Sequence, residues 1–165
     1  MELTCIEVYA YTYVEPVEPE LAPIAITAEN LIGYAGTNIQ YGDGNAVIDE
    51  IPFSFLECGA YGNGIQMRTK NGKSSTIANT SALPASIKSI DIKLNDGKQV
   101  YDNEHALRFT FGESADALGN EVVLDTVADQ KEYTINVSEG VNALFFQLLH
   151  GITYSLYVDS ITLNF

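Results

Sequence analysis

The feature that most limits this chain is its rhythm: apolar and polar residues alternate with a period of two, and Gly, Asn or Asp clusters interrupt nearly every run. Successive side chains on a strand point to opposite faces, so such alternation fits a sheet with one buried and one wet face. Ile90, Ile92 and Leu94 alternate with Ser89, Asp91 and Lys93, and Leu107, Phe109 and Phe111 with Arg108 and Thr110. Tyr133, Ile135 and Val137 alternate with Thr134 and Asn136 in the same way. Helical periodicity is almost absent. Many short strands with turn signals between them predict an all-β fold, an antiparallel β-sandwich of jelly-roll type.

Along the chain, Leu3–Val14 reads as a strand apolar on both faces, with Tyr9, Tyr11 and Tyr13 on one and Ile6, Val8 and Ala10 on the other. The following Glu15-Pro16-Val17-Glu18-Pro19-Glu20 reads as an extended acidic connector. Residues 1–20 thus form a strand and connector, and 21–165 the sandwich domain. Within the domain, Ile24–Thr27 is expected as a strand, Ala28–Ile32 as a helical turn or bend, and Gly33–Gly44 as a loop with a brief strand at Asn38–Gln40. Val47–Cys58 reads as a strand in which Pro52 marks an edge, a bulge or a break. Gly59–Gly64 reads as a turn and Ile65–Thr69 as a strand. Lys70-Asn71-Gly72-Lys73 carries the Asn-Gly signal of a tight hairpin returning along Ser74–Asn79. Ile87–Leu94, Ala106–Gly112, Glu121–Thr126, Tyr133–Val137 and Ile152–Phe165 supply further strands, and Asn95-Asp96-Gly97 a turn. Ala143–His150, nearly all apolar, is expected as a central strand buried on both faces. The core is expected from Ile90, Ile92, Leu94, Leu107, Phe109, Phe111, Ile135, Val137, Leu144, Phe146 and Leu148.

Composition narrows the function. With 165 residues, 46% of them hydrophobic, one domain can bury a core without staples. Eight Lys and Arg against 22 Asp and Glu give a formal charge of −14, which repels a phosphate backbone and excludes nucleic acid as a partner. The acidity reads as a device for solubility. Cys5 and Cys58 have no metal-ligand spacing and read as buried thiols, a single bridge between them staying open as an alternative. The start carries no basic and apolar export signal, so either the protein is made without one or the chain begins after it. No apolar run approaches the roughly 20 residues of a membrane helix, and no membrane insertion is expected.

No catalytic constellation assembles from the sequence. His105 lies in the polar stretch Asp102-Asn103-Glu104-His105 and reads as solvated; His150 ends an apolar strand and reads as structural. Zincin, nucleophile-elbow and P-loop patterns are absent. Asp43 and Asp49-Glu50 are carboxylates among many, without EF-hand spacing. Calcium is the cation such loops would suit, but no metal or cofactor is assigned. Asn79-Thr80-Ser81 and Asn136-Val137-Ser138 match the glycosylation acceptor pattern by chance. The expectation is a non-enzyme that binds. Tyr34, Tyr41 and Tyr61 fall in expected loops, and a ligand site is expected at Tyr61, Asn63 and Arg68, where an aromatic plate, an amide and a forked donor converge to suit a glycan.

From Ala25 onward the order of features resembles a known group of domains. The quoted segments are Tyr61-Gly62-Asn63-Gly64-Ile65-Gln66-Met67-Arg68, the Lys-Asn-Gly-Lys hairpin, Asn79-Thr80-Ser81-Ala82 and Ile87-Lys88-Ser89-Ile90. Phe109-Thr110-Phe111-Gly112, Glu132-Tyr133-Thr134-Ile135, Leu148-Leu149-His150 and Tyr154-Ser155-Leu156-Tyr157-Val158-Asp159-Ser160-Ile161 follow. Together they resemble the small β-sandwich accessory domains of gut Bacteroidetes surface and secreted proteins and of their phages. The closing strand is also similar to that of jelly-roll carbohydrate-binding modules. The resemblance implies a sandwich and no residue-level activity; the first strand and the Glu-Pro connector depart from it. Those departures favour a phage virion component, an auxiliary capsid or head-decoration protein. In that reading Leu3–Val14 docks on a second copy or a shell protein by strand addition. The alternative is a carbohydrate-binding or adhesion module, secreted or at the cell surface.

Overall fold

A computed structural model describes residues 20–35, 39–61, 64–70, 72–95, 103–152 and 155–165. The strand expected at Leu3–Val14 lies outside them, as do residues 15–19 of the connector, Asn63, and the Asp96-Gly97 part of one expected turn. The elements are β1 (Ile24–Thr27), α1 (Ala28–Ala35), β2 (Ile39–Ile48), β3 (Ile51–Tyr61), β4 (Gly64–Met67), β5 (Thr69–Lys70) and β6 (Lys73–Ser74). They continue with β7 (Thr76–Asn79), β8 (Ser89–Leu94), β9 (Asn103–Gly112), β10 (Asn120–Thr126), β11 (Glu132–Asn136), β12 (Phe145–His150) and β13 (Leu156–Asn164). Among the described residues no helix is long and apolar enough to cross a membrane.

Among the described residues every pairing is antiparallel. One leaf runs β2-β3-β7-β12-β9-β10 and a second β1-β13-β8-β11, with short β4 paired to both β3 and β13 and so joining them. The expected all-β, jelly-roll-like sandwich is therefore the architecture. Its physical basis is the alternation itself. Ile90, Ile92 and Leu94 from the smaller leaf share one buried cluster with Leu107, Phe109 and Phe111 from the larger. Phe53 and Phe146 meet edge to face at 6.3 Å within it, and each such ring stabilises the fold by about 1.5–3 kcal/mol. Tyr133 adds a polar lock. Its hydroxyl accepts from the Val127 N–H at 3.0 Å and donates to the Gln130 carbonyl at 3.0 Å, fixing the corner between β10 and β11.

Several expectations need correction. Among the described residues of Gly33–Gly44, Gly33–Ala35 belong to α1, and the brief strand expected near Gln40 extends through Gly44 as part of ten-residue β2. Thr27 caps the helix, since its hydroxyl accepts the Asn30 N–H at 3.3 Å while Asn30 Oδ1 accepts the Thr27 N–H at 3.0 Å. Gly44 belongs to the strand because Phe55 lies over it; a Cβ there would run into the phenylalanine ring. Val47–Cys58 is two strands joined at Asp49-Glu50, both at positive φ (48° and 66°), as a two-residue hairpin requires. The turn expected at Gly59 starts later, since β3 continues to Tyr61. His105 lies inside β9, at positive φ, where the β10 register slips. Strand β12 is central but not buried on both faces: Phe146, Leu148 and His150 point inward while Phe145, Gln147 and Leu149 are half-exposed. For the same reason Leu144 and Val137 are only partly buried, at or beyond strand ends.

Candidate ligand-binding surface

The β2–β3 pair carries two register breaks, one between Ile39 and Gly42 and one between Gly42 and Gly44. Such bulges re-aim side chains. Here they put Tyr41 and Glu57 at positive φ (39° and 50°). Asp43 Oδ1 accepts the Glu57 N–H at 3.0 Å, so its carboxylate satisfies backbone that the bulge displaces from the ladder. That assigns Asp43 a structural task.

Arg68 follows β4 and returns toward this bulge. Its guanidinium carbon stands 3.3 Å from the Tyr41 ring centroid, a cation–π contact. Its Nη2 lies 3.7 Å from one Glu57 oxygen, and Lys73 Nζ lies 3.6 Å from the other. Exposed ion pairs stabilise little; at 21% and 24% side-chain exposure, Arg68 and Glu57 chiefly orient each other. Buried Ser75 pins the Arg68 backbone. Its N–H donates to the Arg68 carbonyl at 2.8 Å, while its Oγ accepts the Arg68 N–H at 2.8 Å and donates to the Glu57 carbonyl at 2.6 Å. The neck of the β5–β6 hairpin is closed by these bonds. Beyond it, Thr69 Oγ1 lies 3.1 Å from Nδ1 of fully buried His150, giving that histidine a packing role.

The expected trio divides. Arg68 is on this ledge. Tyr61 closes β3 opposite Gly64, four residues along the strand from Arg68 and about 13 Å away at the usual rise per strand residue. Asn63 lies outside the described residues. Tyr34 falls within α1 rather than a loop. Glu57 escapes sequence reasoning because nothing in Leu56-Glu57-Cys58 marks a bulge; the Gly42-Asp43-Gly44 opposite it is the available signal. Cys58, beside it, is free and 1% exposed, and burial pushes its thiol up to about 12. A thiol held protonated is a poor nucleophile. Among the described residues no three His, Cys, Asp or Glu side chains are grouped to hold a metal.

Below the ledge spreads the outward face of the larger leaf. Cross-strand pairing sets Leu56, Thr76, Leu149 and Arg108 in one row and Ser54, Ala78, Gln147 and Thr110 in the next. Leu56 and Val47 are 45% and 52% exposed on it.

No protein-family model matches the chain, and no curated protein matches it. Among solved structures it is similar to a low-affinity xylan-binding module, CBM86, of the xylanolytic gut symbiont Roseburia intestinalis. The identity is 13% and the TM-score 0.38, over 87% of this chain and 95% of that one. The resemblance to Bacteroidetes accessory domains rests on the motifs quoted for it.

Proposed function

We propose that this chain is a non-catalytic module that binds carbohydrate, holding a sugar at the ledge of Tyr41, Arg68 and Glu57. The observation that carries the reading is the Arg68–Tyr41 stack oriented by Glu57. A sugar ring presents C–H faces rimmed by hydroxyls. A weakly hydrated guanidinium on an aromatic ring suits the former, while its N–H groups and the Glu57 carboxylate suit the latter as donors and acceptor. Supporting a non-catalytic role, Glu57 is engaged by two cations and the Cys58 thiol is buried. Tyr61 and Asn63, expected from the sequence as ligand contacts, stay part of this proposal. A virion role rests on Leu3–Val14, outside the described residues; the described surface favours the carbohydrate reading, and with it a secreted or cell-surface location.

Affinity electrophoresis in gels cast with xylan, β-glucan, mannan or galactan tests this. Retardation by at least one polysaccharide is expected, abolished by Arg68→Ala and by Tyr41→Ala and unchanged by Lys88→Ala. Migration unaffected by every polysaccharide, or retardation that survives Arg68→Ala, ends the proposal.

A further inference from the structure

The charge of this molecule is unevenly placed. It carries 22 acidic residues, yet the two central rows that cross β3, β7, β12 and β9 on the outward face contain none. Carboxylates return at the margins, Glu121 and Asp125 on β10 at one side and Asp43 and Glu57 at the other. The single charge in those rows is Arg108, and with Arg68 on the ledge it completes the chain's arginines. The Nε of each is buried without a hydrogen-bond partner among the described residues. Arg108 also has no carboxylate within ion-pair distance among those residues.

Between the arginines the surface mixes small aliphatic side chains (Leu56, Ala78, Leu149) with neutral hydrogen-bonding ones (Thr76, Gln147, Thr110). The core of a protein-binding face is enriched in aromatic residues and methionine, and these two rows hold neither. An anionic polymer would meet the long-range repulsion of a −14 chain. From the available charge and chemistry we infer that the ledge is one end of a longer track, and that the track takes an uncharged polysaccharide lying across the strands from Arg68 to Arg108. Three inter-strand spacings separate Leu56 on β3 from Arg108 on β9, about 14 Å, more than a disaccharide fills. This deepens the carbohydrate reading and rests on it.

The test compares oligosaccharide lengths by titration calorimetry: xylohexaose, cellohexaose and mannohexaose against their disaccharides. At least one hexasaccharide should bind. Arg108→Ala should weaken it about tenfold, the loss of one charged hydrogen bond, and leave any disaccharide binding at Arg68 unchanged. Thr110→Asp, an exposed-face change that needs no arginine removed, should weaken it too. Thermal melts confirm that each variant is folded. Hexasaccharide binding that needs Arg68 but ignores both track variants overturns the track and spares the ledge. No binding by any sugar overturns both. Stronger, salt-sensitive binding of polygalacturonate overturns the uncharged ligand, and a dimer in sedimentation equilibrium broken by Leu56→Asp gives the face to a second copy instead.

Discussion

The Phe146 main-chain N–H on β12 donates a buried 2.8 Å hydrogen bond to the side-chain oxygen of Asn79 on β7. The same amide donates to the Leu144 carbonyl at 2.9 Å and to the Ser81 carbonyl at 2.7 Å. One side chain thus holds the start of β12 where the ladder with β7 has ended. At 3% exposure, Asn79 is also inaccessible as a glycan acceptor. Asn79→Ala should destabilise the fold by about 2–4 kcal/mol, since each buried group left unpaired costs about 1–3 kcal/mol. Urea unfolding measures this, and a loss below about 1 kcal/mol would mean that water replaces the amide.

Phe109 is fully buried in the shared cluster between the leaves. Phe109→Ala should cost about 3–5 kcal/mol, from lost transfer energy and the cavity left behind. An unfolding midpoint close to wild type would place the ring at a site able to collapse.

Asp91 receives hydrogen bonds from the Thr134 hydroxyl at 2.6 Å and the Asn164 amide at 2.8 Å, and these hold its carboxyl below its ordinary value. A group with a depressed folded value stabilises above its unfolded value, about 3.9. That contribution is lost as pH falls through the folded value. Asp91→Asn should therefore be slightly less stable than wild type at pH 7, with the gap closing in acid below the unfolded value. A gap independent of pH would assign the effect to packing.

Cys58 donates to the Leu56 and Thr76 carbonyls from inside the sheet. In a Cys5→Ser background its thiol should resist an aromatic disulfide reagent at pH 8 until urea unfolds the chain, because burial holds it near 12. Labelling of the native protein within minutes would show that β3 opens locally.

The described core draws its residues from Ile24 to Leu163. Removal of residues 1–20 should accordingly leave a cooperative thermal transition and the same β-type circular dichroism. Loss of the transition would assign the first strand to the domain's own stability.

Where the sequence obeyed one strong local rule, its reading was sound. Ile90–Leu94 and Leu107–Phe111 alternate because their leaves are buried on one side, and Lys70 and Lys73 pair across a hairpin in which Gly72 takes φ 75°. Reading failed where tertiary contacts override local preference. Asp49-Glu50 has no glycine or asparagine to announce its turn, yet both residues adopt positive φ because β2 and β3 pair on either side. Gly42 and Gly44 look like loop residues, but Gly44 is where a phenylalanine from the next strand needs room. The ledge was half legible. Arg68 was expected there as a forked donor, whereas its meeting with Tyr41 and Glu57 depends on bulges between strands that sequence alone does not register.

In β1 and β13, Ile24 faces Leu163 and Thr27 faces Ser160. A load applied at Ile24 and Asn164 therefore pulls an antiparallel pair apart from one end. Its bonds break in succession, as in a zipper, instead of sharing the load as in shear. A module tethered through those two points would yield at low force by peeling β1 away, while the larger leaf, with Arg68 and the ledge, carries none of the tension through its own pairings.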